Sequence, residues 1–233
     1  MFSLVIPCHS CDLKNIRDTV DYFMKEIKLI NQLIIIFNNI KNNDYLIDIL
    51  NKIQKYKIQF DYKVFRNSLN PGKARNASYD LIKSEYVVFH DADDEPHYNK
   101  LCILKHYFIN HKIDQIHHLF QPIQLPFLKY NIEEINYKMI DNKDIFNYQK
   151  KGSILLNTYS SMPVSHGLIA IKTDKLLEIE WNNLRTGEDR DFITKSINNN
   201  NKIMILEAFL SKYDKLSLKS FSKYHKKYYK LFD

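Results

Sequence analysis

Residues 91–95 read Asp-Ala-Asp-Asp-Glu, four carboxylates in five positions, directly after the apolar run 85–90 (EYVVFH). Like charges so close together repel, and the end of a strand gives little room to spread them. Such a run can sit on a solvated surface turn. It can also hold Mg2+ or Mn2+, hard cations that favour carboxylate oxygens. An ion held there can grip a diphosphate and neutralise the charge that develops on it as a leaving group.

A second group is Asn70-Pro71-Gly72-Lys73-Ala74-Arg75-Asn76. Asn as cap and Pro in the first turn read as a helix start. Lys73 and Arg75 then stand near the positive end of the helix, where the dipole disfavours cations. An anion such as a nucleotide phosphate, shared between the helix amides and these side chains, would resolve that conflict. A third group is Thr186-Gly187-Glu188-Asp189-Arg190-Asp191. Thr186 and Asp189 make a box-like helix start, which is a sufficient structural reason for both. The same geometry keeps a carboxylate ionised and turned outwards, as a general base for a sugar hydroxyl must be.

The elements that position these groups alternate. Apolar runs at 2–7, 33–37, 62–65 and 85–90 read as strands, and 13–29, 45–56 and 73–83 as helices. A β-α-β-α-β-α-β order of this kind predicts an α/β fold with a mostly parallel, doubly wound sheet. Ligands gather beyond the carboxyl ends of its strands, where the acidic run lies. Residues 112–165, with Pro122, Pro126 and Pro163, predict a smaller mixed sheet with acceptor-side loops. Strands are expected at 167–171, 202–206 and 208–213, and helices at 188–198 and 216–232. The division expected within one domain, 1–233, is a nucleotide-binding half (1–111), an acceptor-binding half (112–214) and a C-terminal basic helix (215–233).

Bulk properties add limits. The 233 residues, 45% hydrophobic, are enough to bury a core without disulfides. Surplus Asn, Lys, Ile, Tyr and Phe reflect an AT-rich genome, yet the net charge of +7 still favours acidic partners. Cys8 and Cys11 form a C-x-x-C with no second ligand pair at metal spacing, so reduced thiols at a strand end are expected. Asn76-Ala77-Ser78 is a formal sequon inside the second group. No run approaches the ~20 apolar residues of a membrane span. A strand beginning at Phe2 leaves no room for a secretory leader, and a cytoplasmic location is expected. Lys219, Lys223, Lys226, Lys227 and Lys230 leave one face of the terminal helix for Leu216, Phe221, Tyr224, Tyr228 and Leu231. That pattern fits packing on the core with a basic side in water, or peripheral contact with an anionic membrane.

In order and spacing, SLVIPCHS, GKARNAS, FHDADD and GEDRDF resemble the inverting family-2 glycosyltransferases over roughly residues 2–200. The resemblance implies the GT-A nucleotide-sugar-binding fold and transfer of a sugar from a nucleotide diphosphate, UDP above all, to an acceptor hydroxyl. Glycans, lipid-linked sugars or proteins would be the acceptors. Pro7, His9, Asn38 and Asn39 would border the nucleobase, with Lys73 and Arg75 against the base or phosphates. Asp91 would face the ribose and, with Asp93, the Mn2+ or Mg2+ ion. Asp189 would be the catalytic base and Glu188 would help to place the acceptor. The chain departs from the family in reading FNNIKNND where an acidic segment is usual. A third metal ligand is also not evident, with His225 and His166 as candidates. Two other classes remain. A nucleotidyltransferase acting on sugar phosphates would carry a Gly-rich loop after the first strand, where this chain has CHSCDLK. A nucleic-acid-binding protein would have no use for the acidic run.

Overall fold

A computed structural model describes residues 1–41, 44–140, 168–184, 187–213 and 216–232. Among the described residues nine strands form one sheet: β1 (Phe2–His9), β2 (Ile30–Asn38), β3 (Gln59–Phe65), β4 (Tyr86–Phe89), β5 (Glu95–Pro96), β6 (Gln115–Pro122), β7 (Tyr137–Met139), β8 (Ala170–Lys172) and β9 (Ile203–Tyr213). Their order is β3-β2-β1-β4-β8-β6-β9-β5, with β7 on β9. Strands β1 to β4 run parallel, as do β6 and β9, while β8 runs against both β4 and β6. The mostly parallel sheet expected from the sequence is present.

The double winding follows from period-two alternation in strands that are buried on both faces. Leu33, Ile35 and Phe37 of β2 point to one core, with Leu4, Ile6 and Cys8 of β1. Ile34 and Ile36 point to the other, with Val5. Helices α1 (Ile16–Met24), α2 (Asp44–Gln54) and α4 (Lys100–Asn110) cover the first face. The short helices α3 (Pro71–Asn76) and α5 (Thr173–Leu177), with α6 (Glu188–Asn198), cover the second.

Several boundaries differ from expectation. The helix expected at 13–29 is α1 flanked by tight 3-10 turns at Ser10–Asp12 and Ile27–Leu29. That expected at 73–83 is the six-residue α3 followed by a 3-10 turn at Tyr79–Leu81. Helix α4 has no counterpart in the sequence reading. Its N-terminal amides are capped from far along the chain, by the Glu26 carboxylate on Leu101 and Cys102 N–H (both 2.8 Å). Burial around most of its girth also erases the polar stripe that marks a surface helix. The strands expected at 202–206 and 208–213 are one strand, β9, whose register with β6 shifts around Leu119. Such a bulge explains the break in the alternation.

The terminal segment is two helices, α7 (Leu218–Tyr224) and α8 (Lys226–Tyr229), interrupted at His225. Phe221 and Tyr228 pack on Phe209 of β9, with ring centroids 6.0 and 5.8 Å away. All five lysines stand exposed on the other side. No helix among the described residues is long and apolar enough to cross a membrane.

Candidate active site

The strand order turns at β1, which lies between β2 and β4. The loops leaving β1 and β4 therefore separate at one edge and open a crevice, the usual ligand position in such sheets. A cavity of about 320 Å³ occupies it. Pro7 and His9 at the end of β1 and Asn38 at the end of β2 form one wall. Ala74 and Arg75 of α3 form a second, and Asp91, Ala92 and Asp93 after β4 a third. Glu188, the first residue of α6, closes it.

Arg75 is the centre of this arrangement. Its side chain is 4% exposed and donates from Nη2 to Asp91 Oδ1 (2.9 Å) and from Nη1 to Glu188 Oε1 (3.3 Å). The guanidinium lies 4.7 Å from the centre of the Trp181 ring, and Trp181 stacks on Phe192 of α6 at 4.0 Å. One cation thus joins the loop after β4 to the helix that carries the third sequence motif. The Arg75 Nε is buried with no hydrogen-bond partner among the described residues.

Local sequence explains how Arg75 gets there. Asn70 Oδ1 accepts from Lys73 N–H (2.8 Å), with Pro71 at the start of the helix. Gly72 lies against residues 181 and 182: an added Cβ would run into the Asn182 carbonyl oxygen and come within 3.1 Å of the Trp181 Cβ. Asn76 then exchanges two bonds with the Trp181 backbone, donating to its carbonyl (2.8 Å) and accepting from its N–H (3.0 Å). GKARN is therefore a docking sequence for the Trp181 segment, and it seats Arg75 between two carboxylates.

The acidic turn is sorted by alternation. Ala92 and Asp94 are buried, Ala92 still touching the cavity wall, while Asp91 and Asp93 are half-buried and line it. Thr19 of α1 donates to the Ala92 carbonyl (2.9 Å), anchoring the turn from below. Asp12 also lines the cavity, and the sequence reading did not include it. The 3-10 turn after β1, capped by His9 Nδ1 accepting from Cys11 N–H (3.3 Å), brings it there. Cys8 is buried and Cys11 exposed, and burial pushes the Cys8 thiol well above its ordinary range, so the pair forms a strand end and turn.

Not every expected residue converges. Lys73 is exposed and lies outside the cavity lining, and its backbone N–H is already taken by Asn70. Asn39, at φ 60°, donates to Ser10 Oγ (3.1 Å) beside the cavity, not within its wall. Asp189 lies next to the lining residue Glu188 at the start of α6, and its Oδ1 accepts from Arg190 N–H (2.8 Å). His225 packs against Phe221 (5.4 Å between ring centres), away from the cavity. His166 and Thr186 lie outside the described residues. Gly187, at φ 83°, occupies the cap position of α6.

Asp12, Asp91, Asp93 and Glu188 give the cavity four carboxylates against one guanidinium. A diphosphate would meet net repulsion there unless a divalent cation entered with it. Asp91 and Asp93 supply the hard oxygen donors such a cation prefers. No group of three or more His, Cys, Asp or Glu side chains among the described residues forms a closed cage.

The mostly parallel α/β sheet, with an acid-lined crevice beyond β1 and β4, has the GT-A fold. The family model described as Glycosyl transferase family 2 matches residues 3–167, and the chain belongs to that family. Among solved structures, S. aureus TarS 1–349 in complex with UDP-GlcNAc is similar at a TM-score of 0.69 and 17% identity, over 95% of this chain and 60% of that one. Glucosyl-3-phosphoglycerate synthase from Mycobacterium tuberculosis, in complex with Mn2+, UDP and phosphoglyceric acid, is similar at 0.64 and 14%, over 95% and 73%. At these identities the likeness is one of fold. The chain spans about three fifths of the TarS fragment. The comparison with curated proteins gives no match.

Proposed function

We propose that the chain is a metal-dependent, inverting glycosyltransferase that takes a sugar from a nucleotide diphosphate, UDP above all, and delivers it to an acceptor hydroxyl. The observation that carries this reading is the crevice beyond β1 and β4, with Arg75 held between Asp91 and Glu188 and with Asp93 beside them. The UDP and Mn2+ or Mg2+ in the similar structures support the choice of donor and ion.

In this reading Pro7, His9 and Asn38 border the base, Asn39 supports them from the neighbouring loop, and Asp91 faces the ribose. Asp93 and Asp91 would hold the cation, which when bound would stabilise the charge on the departing diphosphate. Arg75 adds its own positive charge at the same end of the cavity. Lys73 contributes to phosphate binding only from the rim. Asp189, in the first turn of α6, takes the acceptor proton. Glu188 places the acceptor. A single displacement inverts the anomeric centre.

The acceptor is a glycan, a lipid-linked sugar or a protein hydroxyl, and the enzyme works in the cytoplasm. The exposed Lys219, Lys223, Lys226 and Lys227 of α7 and α8 and Lys230 just after them, with Leu218 and Leu231 exposed at the two ends, suit peripheral contact with an anionic membrane. Co-sedimentation with anionic but not neutral vesicles at low salt is expected, and equal recovery with both would remove the membrane from the account.

A thermal-shift screen of nucleotide sugars with and without Mn2+ tests the donor reading. A UDP-sugar should raise Tm only when the metal is present. Indifference to every nucleotide would reject it. Asp189→Asn should abolish transfer and leave UDP–Mn2+ binding within about twofold, whereas equal loss of both would deny Asp189 the role of base.

A further inference from the structure

Under the Asp91–Asp94 turn lies a buried polar chain that the proposed chemistry does not use. Lys100 of α4 is 0% exposed, and its Nζ is 3.0 Å from His90 Nδ1 and 3.1 Å from Ser211 Oγ. Ser211 donates its own hydroxyl proton to the Leu210 carbonyl (2.8 Å), so towards Lys100 it accepts. With Nδ1 of His90 accepting from Lys100, the imidazole proton sits on Nε2. That nitrogen is 3.2 Å from the Asp94 carbonyl oxygen and donates to it. Phe23 holds the imidazole edge-on from α1, with ring centres 4.9 Å apart.

Two carbonyls of the turn are therefore pulled inwards from alternate positions. Thr19 holds that of Ala92 (2.9 Å) and lies 3.3 Å from that of Asp94, which His90 holds at 3.2 Å. The side chains of Asp91 and Asp93 are left facing the cavity.

We propose that Lys100 is a positioning residue: through His90 it fixes the turn so that Asp91 and Asp93 face the cavity together. An apolar side chain would fill the same space without the desolvation cost of an amine, a cost visible in the Lys100 pKa, which burial lowers to about 7. Packing alone does not call for a lysine here. The inference rests on the donor reading only for what the turn receives.

Hydrogen–deuterium exchange of the ligand-free protein tests it, with Lys100→Met as the variant. His90→Leu tests the same relay should Lys100→Met fail to fold. Exchange across residues 86–97 should quicken about tenfold or more while residues 30–65 are unchanged, and UDP should need about tenfold more Mn2+ for half-maximal binding. Unchanged exchange at 86–97 in a folded variant overturns the proposal. Uniform acceleration over the whole sheet does so too, because it marks Lys100 as a packing residue. Should the turn loosen as expected while the wild-type protein binds neither UDP nor Mn2+, the positioning role stands and the donor reading falls.

Discussion

Replacing Arg75 with Met would leave two carboxylates facing each other without their shared cation. The magnitude follows from exposure. The Arg75 and Glu188 side chains are 4% and 11% exposed, so this arm counts as buried. Removing one partner of a buried pair costs roughly 3–5 kcal/mol, because the other charge is stranded. Asp91 is 36% exposed and water screens it, so its arm adds at most about 1 kcal/mol. A total near 4 kcal/mol would lower Tm by roughly 8–16 °C in a protein of this size. Most of that loss comes from the stranded Glu188 carboxylate and not from lost packing. The double variant Arg75→Met/Glu188→Gln should therefore recover about 2 kcal/mol relative to Arg75→Met alone. Urea unfolding of the three proteins at pH 7, followed by circular dichroism, measures both steps. A double variant no more stable than Arg75→Met would refute the argument.

Other outcomes follow from the same contacts. Gly72→Ala should cost about 1–3 kcal/mol by forcing α3 away from the Asn182 carbonyl, a loss that thermal melts would register. Buried His90 and His118 are both held well below the ordinary imidazole value, mainly by desolvation. The unfolded chain then binds more protons as pH falls through 6.5, and each histidine withdraws stability with a slope that approaches about 1.4 kcal/mol per pH unit well below that value. Glu26, raised by burial to about 7, opposes this between its unfolded value and pH 7 with about the same slope. Buried His97 is lowered in the same way, so three histidines against one carboxylate leave a net loss of stability from pH 6.5 to 5.5. A Tm independent of pH over that range would contradict it.

Much of the donor half was legible because its signals are local. The alternation of IIIF in β2, the break at Asn70-Pro71 and the carboxylates after an apolar strand each depend on adjacent residues. The less legible features depend on distant ones. Helix α4 is capped by Glu26, and Asp12 reaches the cavity through a turn whose only mark is the His9 side chain. Buried Gln115, His117, His118 and Gln121 disguise β6, since such residues would otherwise suit a loop; Ser196 of α6 donates to Gln115 Oε1 (2.6 Å) and Gln121 Nε2 donates to the Pro126 carbonyl (2.8 Å). Lys73 is the opposite case. Charge and spacing placed it with Arg75, but successive residues of a helix point about 100° apart, so residues two apart lie on opposite sides and only Arg75 faces inwards.

The account turns on a divalent cation sitting between Asp93 and a diphosphate. A crystal grown with MnCl2 and UDP, measured at the manganese absorption edge, examines that directly. An anomalous peak within coordination distance of an Asp93 carboxylate oxygen and of both phosphates is the predicted result. Density for UDP in the crevice with no peak beside Asp93, or an empty crevice under saturating ligand, would contradict it.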